Sequence, residues 1–153
     1  MSGSMISRAT IDDVDTVAPL VTAYRAFYRQ TPALPTERAF IERNLREKRS
    51  TVFIARNEVQ EAVGFVQLFQ TYSTVRLGPQ LILEDLFVDP SVRRGGVATA
   101  LMKRAMEYAR EIGATGMFLE TAMDNATAQA LYERLGWTRE DTFYKYNAPM
   151  DGT

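Results

Sequence analysis

The 153-residue chain contains neither cysteine nor histidine. No disulfide framework, thiolate nucleophile, Ser-His-Asp triad or Cys/His zinc site can be built from it. Acid–base chemistry is left to Asp, Glu, Tyr, Lys, bound water or a chain terminus, which excludes most hydrolase mechanisms that depend on histidine. A net charge of -1 gives no support to nucleic-acid or membrane-surface binding. No signal peptide or apolar run of membrane length is apparent, so a cytoplasmic location is the default expectation. The chain is 46% hydrophobic and 24% charged, as a soluble globular protein is, and its length suits one domain with a real core. Met1-Ser2-Gly3-Ser4 reads as a cloning remnant ahead of a native Met5. No linker, repeat or metal-ligand cluster is visible.

Two familiar phosphate signatures are also missing: the P-loop string ending in Gly-Lys-Ser/Thr and the dinucleotide fingerprint G-x-G-x-x-G. A different phosphate-binding pattern is present. The apolar segment Leu81 to Val88 stops at Asp89-Pro90, and Arg93-Arg94-Gly95-Gly96 precede an amphipathic helix beginning at Val97. Glycine lets backbone approach a ligand, and a helix start leaves N–H groups without intrahelical partners. Together they form an anion cradle at the positive end of a helix dipole, with arginine charge beside it. The plainer alternative is a tight turn with helix-capping glycines and two solvated arginines.

Further along, Gly116 to Thr121 reads as a short buried strand, and Asp124-Asn125 offers an N-cap for a helix through Leu135. Asn125 and Tyr132 lie about two helical turns apart and share a face. Ala128 keeps that face low enough for a thin ligand, and Gly136 fits a left-handed C-terminal cap. Arg93-x-x-Gly96-x-Ala98 resembles the Q/R-x-x-G-x-G/A signature of the GCN5-related N-acetyltransferases (GNAT). Asn125-x-x-Ala128-x-x-x-Tyr132-x-x-x-Gly136-Trp137 resembles the family's second block, N-x-x-A-x-x-x-Y-x-x-x-G-F/W. The resemblance runs from about Met5 to Asn147, implying an N-acetyltransferase domain over 5–148 and a tail over 149–153.

The pattern of elements is mixed α/β. Strands are expected at Ile6–Ala9, Thr51–Arg56, Ala62–Tyr72, Leu81–Val88, Gly116–Thr121 and Thr142–Asn147. Helices are expected from Ile11 to Arg29 (capped by Thr10), Thr36 to Lys48, Val97 to Ile112 (closed by Gly113) and Asn125 to Leu135. The resulting order, β-α-α-β-β-β-α-β-α-β, is that of the GNAT fold, with a mixed, mostly antiparallel sheet.

The resemblance implies an acetyl-CoA-dependent transfer to an amine with no metal. Its pyrophosphate would lie on Arg93, Arg94, Gly95, Gly96, Val97, Ala98 and Thr99. The pantetheine arm would pair with the backbone of Leu86, Phe87 and Val88, and Asn125 and Ala128 would complete the cofactor face. Tyr132 is implied as general acid to the thiolate, although its spacing alone also fits a packing residue. Glu84 is implied as base, directly or through water, with Asp85 attracting the amine; a structural cap or salt bridge is the other reading of each acid.

Leu83-Glu84-Asp85-Leu86-Phe87-Val88 looks most like the spermidine/spermine and thialysine acetyltransferase branch. Neighbouring strand residues point to opposite faces, so both acids reach one site only if a bulge re-aims one of them. Tyr24, Tyr28 and Tyr72 are candidates for the acceptor pocket, Tyr24 and Tyr28 either as a cation–π wall or as helix-packing aromatics. Tyr28-Arg29-Gln30 stands where the polyamine branch is acidic, which argues against a multiply cationic acceptor. A small-molecule amine is the expected partner. A protein acetyltransferase, acting on lysine or an N-terminus, and a non-catalytic acyl-CoA sensor are the alternatives. Homodimerisation is an expectation from the family only.

Overall fold

The computed structural model describes residues 5–92 and 96–151. They fall into two compact units, one extending to Glu120 and one beginning at Thr121. The first contains strands β1 (Met5–Arg8), β2 (Thr51–Arg56), β3 (Ala62–Ser73), β4 (Gly78–Val88) and β5 (Gly116–Phe118). Its helices are α1 (Val14–Phe27), α2 (Leu34–Arg46) and α3 (Val97–Glu111). The second unit contains α4 (Ala126–Arg134).

The five strands form one sheet in chain order. Every neighbouring pair is antiparallel except β4 and β5, which run parallel. Thr51 to Ala55 of β2 are all buried, as expected of a strand covered on both faces. One face packs Val52, Ile54, Phe65 and Phe87 against Val17, Leu20 and Val21 of α1 and Ile41 of α2. On the other, the buried stripe Leu101, Ala105 and Ala109 of α3 follows helical spacing, and α3 packs on β2, β3 and β4.

Local signals act as their chemistry requires. The Thr10 hydroxyl accepts from the Asp12 N–H, and the Asp13 carboxylate accepts from the Thr10 N–H, a reciprocal cap. A short 3-10 turn, Ile11–Asp13, precedes α1 where a continuous helix from Ile11 was expected. Helix α2 starts at Leu34, earlier than the expected Thr36. Pro35 falls in its first turn, where no N–H is needed, so it does not break the helix.

The sixth strand expected over Thr142–Asn147 does not form. Thr142 turns back on Glu140, whose carboxylate accepts from the Thr142 N–H and hydroxyl. Phe143, Tyr144 and Tyr146 are 81%, 93% and 91% exposed, so the segment has no buried face that would hold it as a strand.

Candidate active site

The end of β4 is tied down before the chain enters the motif expected to bind phosphate. The Asp89 N–H donates to the Val63 carbonyl at 2.8 Å, and the Asp89 carboxylate accepts from the Ser91 N–H and hydroxyl. Helix α3 then begins at Gly96, which has φ +78° and offers no side-chain cap. That left-handed conformation suits glycine, and the missing cap leaves the N–H groups of Val97, Ala98 and Thr99 facing the helix mouth. Arg93, Arg94 and Gly95 lie outside the described residues.

Gly64 is the close-approach point under this turn. A Cβ on it would lie 2.7 Å from the Phe87 carbonyl and 3.3 Å from Leu101. Only the absence of a side chain lets β3, β4 and α3 meet here.

Strand β5 accompanies β4 only from Gln80 to Ile82. Among the described residues no strand pairs on that side with Leu86, Phe87 or Val88, the backbone expected to hold pantetheine.

The β3–β4 register slips at the acids. Gln67 pairs with Asp85 and Leu68 with Leu83, so Glu84 is an extra residue in a β-bulge. In a regular strand Leu83 and Asp85 would share a face. Here Leu83 is buried beside Leu68 on the α3 side, whereas Asp85 joins Gln67 on the face of α1 and α2. The bulge expected from the Glu84-Asp85 pair is therefore present, and Asp85 is the half-buried acid while Glu84 is exposed.

A polar chain fixes Asp85. The Asn44 amide and the Ser50 hydroxyl both donate to Gln67 Oε1, at 3.1 and 2.7 Å. That forces Gln67 Nε2 toward Asp85 Oδ2, to which it donates at 2.6 Å. Burial pushes the Asp85 carboxyl above the usual aspartate range, and the charge of Glu84 pushes the same way, against the hydrogen bond from Gln67. Tyr24 stands beside it, its hydroxyl 3.5 Å from the Glu84 carbonyl, and its ring edge-on to Tyr28 at 5.0 Å. Burial, then the Asp85 charge, hold the Tyr24 hydroxyl well above the usual phenol range. Tyr24 therefore stays protonated and acts as a donor, not a base.

Tyr72 is not part of this cluster. It lies five residues along β3 from Gln67, about 17 Å in an extended strand, and strand alternation puts it on the opposite face. Its hydroxyl accepts from Gln70, and its ring is 74% exposed.

In the second unit, the Asn125 side chain caps α4 by accepting from the Ala128 N–H at 3.2 Å. Tyr132 is half-buried against Trp137, with ring centroids 6.2 Å apart. Gly136 takes φ +92° and its N–H returns to the Glu133 carbonyl, ending the helix in the expected left-handed turn.

Residues 17–137 match the model of the acetyltransferase (GNAT) family. The chain belongs to that family. This GNAT acetyltransferase is 38% identical over 141 residues to the uncharacterized N-acetyltransferase YhfO of Bacillus subtilis (strain 168), covering 92% of this chain and 94% of that one. It is 27% identical over 100 residues to an aminoglycoside N(6')-acetyltransferase type 1 of Acinetobacter genomosp. 13, covering 63% and 68% of the two chains. The crystal structure of a "probable acetyltransferase" superposes with a TM-score of 0.90 at 35% identity, over 95% of this chain and 97% of that one.

For an acetyltransferase the arrangement has clear chemical content. A strand end beyond the pairing with β5 and a helix start without a side-chain cap are suited to an extended, phosphate-bearing thioester such as the acetyl-CoA that the family uses. Sequence reading missed Gln67, Asn44 and Ser50, the groups that orient Asp85. Gln67 left a trace: it is the one polar residue in Val63-Gly64-Phe65-Val66-Gln67-Leu68-Phe69, where burial without a partner would be costly.

Proposed function

We infer that this acetyltransferase moves the acetyl group of acetyl-CoA to a primary amine of a small molecule, by direct attack in a ternary complex. The bulge at Glu84 carries this reading, because it turns Asp85 toward α1 beside Tyr24. An acid and two aromatic rings there suit an alkylammonium, through charge and cation–π attraction. The identity to an aminoglycoside N(6')-acetyltransferase adds support for an amine on a small polar molecule.

An alkylamine with a pKa of about 10.4 arrives protonated, so the proton must leave before attack. Exposed Glu84 takes it, directly or through water, while half-buried Asp85 holds and orients the amine. Tyr24 hydrogen-bonds but does not exchange its proton. The backbone around Val88 donates to the developing oxyanion. Tyr132, in the second family block, returns a proton to the leaving thiolate. Arg93, Arg94 and the first turn of α3 bind the pyrophosphate.

The test is thiol release from acetyl-CoA, with mass detection of products, across diamines, polyamines, amino acids, aminoglycosides and lysine peptides. Turnover with a small monoamine or aminoglycoside is expected. Turnover with peptides alone would replace this reading by a protein acetyltransferase. Tight acetyl-CoA binding with no turnover on any acceptor would replace it by an acyl-CoA sensor.

A further inference from the structure

An open cleft of about 690 Å³ lies on the α3 side of the sheet, at the end away from the phosphate-binding turn. Ile11, Leu45 and Tyr108 give it apolar lining over the buried Leu68 and Leu81, and Arg8, Arg46, Lys48 and Arg49 line it with no acid among its lining residues. Tyr108 lies eleven residues beyond Val97, about 16 Å along the helix axis, so this cleft is separate from the start of α3.

Ion pairing with the acids of α2 and its C-cap accounts for two of the four. Arg46 is paired with Glu42 at 2.7 Å, and Arg49 reaches Glu47 at 3.9 Å. It does not account for Arg8, which arrives from β1. Its guanidinium lies 5.0 Å from the Tyr108 ring centroid and 3.4 Å from the Thr51 hydroxyl, which in turn donates to the Tyr108 hydroxyl at 3.2 Å. Stacking and hydrogen bonding thus hold the Arg8 charge at the cleft without an ion pair among the described residues.

Lys48 is the second unexplained cation. The Arg49 N–H returns to the Asn44 carbonyl and the Lys48 N–H to that of Leu45, a Schellman ending in which Lys48 takes the left-handed position at φ +55°. Glycine is the residue that fits this position without strain. A long cationic side chain is kept there instead, at the cleft, and makes no ion pair among the described residues.

We propose that this cleft is a second binding site, for a small organic anion with a phosphate or carboxylate on an apolar body. Arg8 and Lys48 neutralise the anion, and Ile11, Leu45 and the Tyr108 ring cover the body. The volume lies within the usual range for small-molecule sites, about 300–1,000 Å³. The proposal does not depend on which amine the enzyme acetylates.

Titration calorimetry with phenyl phosphate, inorganic phosphate and phenol tests it, with CoA affinity measured in parallel. The full chain should bind phenyl phosphate at least ten-fold tighter than either fragment. Arg8→Gln combined with Lys48→Gln should weaken phenyl phosphate at least ten-fold and leave CoA affinity unchanged. Lys48→Gly separates binding from folding: relief of the left-handed strain should keep or raise the melting temperature while phenyl phosphate affinity falls. Equal phenyl phosphate affinity in wild type and both variants would overturn the proposal, as would phenyl phosphate binding only in competition with CoA.

Discussion

Gln67 and Asp85 face each other across β3 and β4 at the point where the register slips, joined by a 2.6 Å hydrogen bond. Two donors on Gln67 Oε1 determine which way its amide points, so this one side chain couples the end of α2 to an acid of the candidate site. Gln67→Met should remove the donor to Asp85 and strand the buried Asn44 amide and the half-buried Ser50 hydroxyl, lowering stability by about 1–3 kcal/mol in urea denaturation. Because the lost bond holds the Asp85 pKa down, the carboxyl should titrate still higher, and the acid limb of the pH–rate profile should move to higher pH. An unmoved limb would mean that Gln67 is structural only.

Glu84 and Asp85 are adjacent but sit in different surroundings, and their neutral variants should differ accordingly. Glu84→Gln removes the exposed proton acceptor. It should lower kcat most at pH values below the amine's own pKa and leave KM for the amine little changed. Asp85→Asn removes the charge facing Tyr24 and should raise that KM instead. If both variants shift the same parameter equally, the division of roles between them is wrong.

Tyr132→Phe keeps the ring that packs against Trp137 and removes only the hydroxyl. Loss of a general acid should lower turnover by about ten- to a thousand-fold, with the acetyl-CoA dissociation constant largely intact. Near-normal turnover would make Tyr132 a packing residue.

Much of this was legible in the sequence because the signals are local. Asn125, Gly96 and Gly136 announce helix ends by chemistry that operates within a few residues, and each occupies the expected place, whereas Thr10 caps the 3-10 turn that leads into α1. The acid pair could be read as needing a bulge because strand alternation is strict. What escaped depends on long-range register. Gln67 meets Asn44 and Asp85 only after β3 has chosen its partners, and nothing in the spacing of Tyr72 reveals that it falls on the opposite face. The Thr142–Asn147 segment failed for a related reason: an aromatic-rich stretch becomes a strand only when another surface covers it.

Gly64 carries no chemistry, yet the geometry gives it a strict requirement. A methyl group there would sit 2.7 Å from the Phe87 carbonyl, a backbone atom that cannot rotate away, so β4 would have to move. Gly64→Ala should cost about 1–3 kcal/mol of stability as overpacking does. Because Phe87 and Leu101 flank the turn proposed to bind the pyrophosphate, it should also weaken acetyl-CoA binding. Calorimetry on folded variant protein distinguishes the two effects, and unchanged affinity would mean that β4 yields without disturbing the turn.

The buried Glu37 of α2 supplies a pH-dependent clamp on α1. Thr22 donates to its Oε1 at 2.6 Å and Arg25 to its Oε2, and the side chain is 3% exposed. The Thr22 hydrogen bond, with Arg25 adding to it against the cost of burial, holds the Glu37 carboxyl below the usual glutamate range. A depressed carboxylate contributes stability above its unfolded pKa, about 4.3, and loses that contribution as pH falls through the folded value. Glu37→Gln should therefore melt below the wild type at pH 7, and the gap should narrow when both are measured at pH 3. A gap of the same size at both values would show that the clamp works through shape and neutral hydrogen bonds, with no part played by the charge.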